Sequence, residues 1–65
     1  MESLLKIMDA ARAYNEIGVV LMSMNDFRAA AHYFNEAISA SPAWYEEAHT
    51  NLARANEHLR SLAAR

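Results

Sequence analysis

The sequence predicts an all-α chain: an antiparallel helical hairpin followed by a third, capping helix, in a single domain over residues 1–65. Three observations predict it. Apolar residues recur at steps of three and four through three separate stretches. Two short polar or proline-bearing breaks, Asn25-Asp26 and Ser41-Pro42, divide those stretches. No run of alternating apolar and polar residues bounded by turn signals marks a strand.

The first stretch carries Leu4, Met8, Ala11, Tyr14, Gly18 and Leu21, with Ile7, Ile17 and Met24 beside them. Only Gly18 interrupts it, so one helix is expected over about 3–24. Asn25 favours the left-handed conformation that ends helices, and Asp26 is a good N-cap for the next one. The second helix is expected over 27–40, with Phe27, Ala30, Ala31, Phe34, Ala37 and Ile38 in helical register. Ser41-Pro42 then stops it. Ser41 is expected to cap the third helix and Pro42 to open it, so this helix is placed at 43–63. Glu46 and Glu47 favour its positive N-terminal end, and Trp44, Ala48, Leu52, Ala55, Leu59 and Leu62 share a face. Trp44 is expected to be a packing residue.

Size bounds what such a chain can do. Sixty-five residues bury only about 60% of the surface exposed on unfolding, so stability must come from a disulfide, a metal, association or regular packing. No cysteine is present, which removes disulfides and the commonest zinc sites. A cysteine-free chain fits a reducing, cytoplasmic setting. The net charge of −2 with scattered Lys and Arg argues against nucleic acid, and no apolar run approaches membrane-spanning length. The segment Met1-Glu2-Ser3-Leu4-Leu5-Lys6 lacks the basic start of a secretory signal.

The first two helices resemble a tetratricopeptide repeat. Tyr14-x2-Ile17-Gly18-x2-Leu21, Ala30-x3-Phe34-x2-Ala37 and Pro42 follow that family's spacing. Asn25-Asp26-Phe27 stands where Gly-Asp-Tyr is usual, Tyr14 replaces Trp, and Leu21 replaces Tyr. The resemblance makes Tyr14, Ile17, Gly18, Leu21, Ala30, Phe34, Ala37 and Pro42 the expected repeat core. A mid-helix glycine costs roughly 1 kcal/mol against alanine, and close approach of a second helix gives Gly18 its reason. Ala48 to Ala53 mirrors Ala13 to Gly18 at a spacing of 35, so the third helix is a cap or the first helix of a second repeat.

The resemblance also implies a partner. Family members generally bind peptides or helices in a groove lined by the first helix of each hairpin. By spacing from Gly18, that groove falls to Arg12, Asn15, Val19, Met22 and Ser23, and on the third helix to Glu47, Thr50, Arg54, Glu57 and His58. A solvated surface is the plain alternative for all ten. Some relatives clamp a terminal carboxylate with Lys and Asn; Val19 stands where one Asn is needed and only Asn51 fits, so that recognition is not expected.

No catalytic, cofactor-binding or metal site is expected. Glu46-x-x-His49 has the spacing of a helical metal pair, but a dinuclear bundle uses two such motifs plus two more Glu, and here there is one copy. There is no Ser-His-Asp set and no Gly-rich phosphate loop. The expected function is therefore a protein-interaction scaffold. A self-assembling structural homo-oligomer is the main alternative, and a dimeric helical-bundle metal protein a remote one. Self-association, with a dimer favoured, is expected through Leu4, Leu5, Ile7 and Met8 at one end and Leu59 and Leu62 at the other. Those residues overhang the hairpin core and would form an exposed apolar patch.

Overall fold

The computed structural model describes the backbone of residues 2–63 and the side chains of residues 9–63. It contains α1 (Glu2–Ser23), α2 (Phe27–Ala40) and α3 (Glu46–Ala63), with no strand among the described residues. The all-α hairpin with a third helix is thus the observed architecture. Leu4, Leu5, Ile7 and Met8 have side chains outside the described residues.

The α1–α2 turn forms as its residue types dictate. Asn25 adopts φ 63°, the left-handed conformation in which Asn is favoured second to Gly. The Asp26 N–H then donates to the Leu21 carbonyl at 2.9 Å and the Asn25 N–H to the Met22 carbonyl at 3.0 Å, satisfying the orphan carbonyls of α1. The Asp26 carboxylate accepts from the Ala29 N–H at 3.4 Å and caps α2.

The second junction departs from expectation. α3 begins at Glu46, not at 43, and Pro42 is not its first residue. Ser41 ends α2 in an extended conformation (φ −79°, ψ 131°), as the residue before proline must to avoid the ring. Its hydroxyl donates to the Ala43 carbonyl at 2.8 Å, so it stays in the turn and is not free to cap a helix. Helical bonding starts when the His49 N–H donates to the Tyr45 carbonyl at 3.1 Å. Glu46 and Glu47 then occupy the first turn, where the helix dipole favours acids.

The core is built from small residues around one ring. Phe34 is fully buried, and every other buried apolar side chain described is an alanine: Ala11, Ala30, Ala31, Ala37, Ala48 and Ala55. Alanine lets helix backbones approach closely, and Phe34 fills the space left between them. At Gly18 the approach is closest. A β-carbon there would lie 2.6 Å from Phe34 Cδ1 and 2.9 Å from its Cζ, so glycine is a packing requirement. Around Ala30, Ala31, Phe34 and Ala55 pack Leu21 and Met22 from α1 and Leu52 and Leu59 from α3. The centre of the core therefore draws on all three helices.

Two expected core residues are not core. Ile17 is 42% exposed and Pro42 is exposed. Ile17 opens with Ala13 and Val20 onto a shallow surface depression of α1, and Pro42 lines a hollow with Ala11, Arg12 and Trp44. Trp44, expected to pack, is 74% exposed and stacks on His49 with ring centroids 3.7 Å apart. Leu59, expected at an open end, packs against the core cluster, whereas Leu62 is 52% exposed beyond it.

Candidate protein-binding groove

α3 is held chiefly by α2. Leu52, Ala55 and Leu59 meet the cluster around Phe34, and His58 stacks on Phe27 of α2 at 4.3 Å, with ring planes within 5° of parallel. Toward α1, α3 makes one side-chain hydrogen bond among the described residues: Asn51 Nδ2 donates to Asn15 Oδ1 at 3.1 Å. Asn15 is only 5% exposed. No buried side-chain polar atom among the described residues lacks a partner, so this amide pair is a satisfied contact. It floors a depression between the two helices.

Arg12, Asn15, Glu16, Val19 and Val20 of α1 line that depression together with Tyr45 and Glu47 at the start of α3. A neighbouring hollow continues from Arg12, Tyr45 and Glu47 onto Trp44 and the 41–43 turn. The surface thus offers an exposed apolar patch at Val19, a guanidinium at Arg12, and carboxylates at Glu16 and Glu47. It can hold an extended or helical segment by apolar contact and by both signs of charge. Nothing in it activates a nucleophile, and among the described residues no three His, Cys, Asp or Glu side chains gather to ligate a metal.

The structure sorts the ten expected groove residues into three groups. Arg12, Asn15, Val19 and Glu47 meet in one depression, although Asn15 is its floor, not an exposed contact. Thr50, Arg54 and Glu57 stand exposed on α3 outside it. Met22 packs against the core, Ser23 donates its hydroxyl to the Val20 carbonyl of its own helix at 2.6 Å, and His58 is turned to Phe27. Sequence reasoning missed Tyr45. Its place at the mouth follows only once α3 is known to start at Glu46, and the acidic first turn was the available signal.

A tetratricopeptide repeat family model matches residues 11–43, half of the chain. The chain belongs to the tetratricopeptide repeat family. No curated protein and no solved structure matches it. The matched span starts at Ala11, the first fully described core position, and closes just after Pro42. The repeat's spacing is therefore visible as contacts: Gly18 against Phe34, Tyr14 tilted on Tyr33 at 6.2 Å, and Ala30 and Ala37 fully buried. Tetratricopeptide repeats generally mediate protein–protein contact and are typically non-catalytic modules. No helix among the described residues is long and apolar enough to cross a membrane.

Proposed function

We propose that this tetratricopeptide module is a scaffold that binds a protein or peptide segment in the depression between α1 and α3. The observation that carries the reading is Val19, 48% exposed on the groove side of α1, between Arg12 and Glu47 and beside the sealed Asn15–Asn51 pair. A buried polar floor and an apolar wall flanked by charge orient a ligand while keeping the affinity modest. Once a partner has been identified by affinity capture, titration calorimetry tests the site. Val19→Glu should weaken binding at least tenfold and Arg54→Glu less, since Arg54 stands outside the depression. Glu36→Lys on the exposed side of α2 should leave it unchanged, and all three variants should keep the wild-type melt. Undiminished binding by Val19→Glu refutes the groove.

A second reading is favoured by a separate observation. Ile17, Val20, Met24 and Leu62 are large, apolar and 42–68% exposed. Exposed apolar side chains of this size on so small a module favour association with another copy of the chain, and a two-fold dimer is the simplest closed form.

A further inference from the structure

Two equivalent stripes, one covered and one bare, stand 35 positions apart. On α3, Ala48, Leu52, Ala55 and Leu59 follow at steps of four, three and four. Ala48 and Ala55 are fully buried, and Leu52 and Leu59 pack against the cluster around Phe34. On α1, Ala13, Ile17, Val20 and Met24 follow at the same steps. There Ile17 is 42%, Val20 57% and Met24 68% exposed, and a shallow depression runs along Ala13, Ile17 and Val20. α1 thus repeats the apolar face by which α3 docks, with no helix against it among the described residues.

The free flank of α3 is unlike it. The positions equivalent to Ala11, Tyr14, Gly18 and Leu21, with which α1 faces α2, are Glu46, His49, Ala53 and Asn56. Three of those four are polar. The surface of α2 on which the α3 stripe rests is already occupied within the same chain. Successive copies therefore cannot stack head to tail: the bare α1 stripe finds neither a free α2 nor an apolar α3 flank. The apolar face a second copy does offer is its own α1 stripe.

We propose that the Ala13–Ile17–Val20–Met24 stripe is a homodimer surface, on which two copies pair α1 against α1, antiparallel, about a two-fold axis between Ile17 and Val20. The size gradient along the stripe sets the direction. Antiparallel pairing brings the small Ala13 of one copy to the long Met24 of the other and Ile17 to Val20, so the volumes fill. Parallel pairing sets Met24 on Met24 and leaves a gap between facing alanines. The stripe is one helix wide, less than the roughly 800 Å² per partner of standard interfaces, so the pairing is weak, with a dissociation constant on the order of hundreds of micromolar. This inference rests on the self-association reading; the stripe adjoins the groove along Val20, which lines both, whereas Ile17 lies on the stripe alone.

Sedimentation equilibrium of the intact chain from about 10 µM to about 1 mM, weighed against that weak affinity, should show the mass climbing from one chain toward two. Ile17→Glu and Val20→Glu should each weaken dimerisation at least tenfold with unchanged circular dichroism, while Asn35→Glu on α2 should not. Because the chain has no cysteine, register is read directly by oxidising a mixture of Ala13→Cys and Met24→Cys chains. The mixed disulfide should predominate over either homodisulfide. A wild-type chain monomeric at the highest concentration overturns both the stripe and self-association. A dimer indifferent to Ile17→Glu and Val20→Glu overturns the stripe alone, and predominance of the homodisulfides overturns the antiparallel register.

Discussion

Replacing Gly18 by alanine sets two physical effects against each other at one atom. In an open helix the change stabilises, because glycine costs about 1 kcal/mol more backbone entropy than alanine. Here the added methyl collides with Phe34 Cε1 and falls 2.6 Å from Cδ1, so the ring must retreat by roughly 1 Å to regain ordinary contact. It has nowhere to go: Ala30 and Ala37 beside it are fully buried, and Phe34 itself has no exposed surface. Overpacking of this kind costs about 1–3 kcal/mol, so the helix gain is cancelled or outweighed, leaving a net loss of up to about 2 kcal/mol. A module of this size rarely holds more than about 3–5 kcal/mol in total, so the loss is easily measured. Urea unfolding followed by circular dichroism at 222 nm reads it as a lowered midpoint at constant slope. Gly18→Ala combined with Phe34→Leu, which removes the colliding ring, should show a less-than-additive loss. A Gly18→Ala chain stabilised by the full 1 kcal/mol of the open-helix case refutes the close approach of α1 and α2 at Phe34.

Two further outcomes follow from the same contacts. Phe34→Ala removes the one large buried ring and should cost about 3–5 kcal/mol, leaving the chain largely unfolded at room temperature by circular dichroism; a melt within a few degrees of wild type refutes its central place. Asn25→Gly suits the left-handed φ of 63° better than Asn and should raise the urea midpoint, by up to about 1 kcal/mol of stability, whereas Asn25→Val should lower it by at least as much.

The hairpin was legible because its signals are chemical and local. Asn25 and Asp26 each do in the structure what their side chains favour, and Gly18 among larger residues announces a close contact. What the sequence left open depends on which neighbour a residue meets. The apolar positions of α1 form two stripes, one through Tyr14, Gly18 and Leu21 toward α2 and one through Ala13, Ile17, Val20 and Met24 away from it. Periodicity left Ile17 beside the first, and the family spacing then counted it as core. Spacing from Gly18 made Asn15 a groove-facing contact; it is buried, and the amide it pairs with, Asn51, stands 36 positions later. The start of α3 slipped by three residues because Ser41-Pro42 fits a helix cap as well as a turn. The Ser41 hydroxyl bond to Ala43 decides between them.

Groove and core in this module are not separable. α3 touches α1 through little more than the Asn15–Asn51 bond, so the separation of the groove walls is fixed from outside it, by how α3 sits on α2. That seat is Ala55 with Leu52 and Leu59 against the Phe34 cluster, and the Phe27–His58 stack at its far end. A change at Phe27 or Ala31 therefore shifts Glu47 and Tyr45 relative to Arg12 and Val19 without touching a ligand. The amide pair opposes that shift. It is a short, directional bond at the one point where the walls meet, and breaking it strands a buried amide at a cost of about 1–3 kcal/mol. In a chain whose whole stability is of that order, the pair holds the groove closed at its floor, and α2 sets its width.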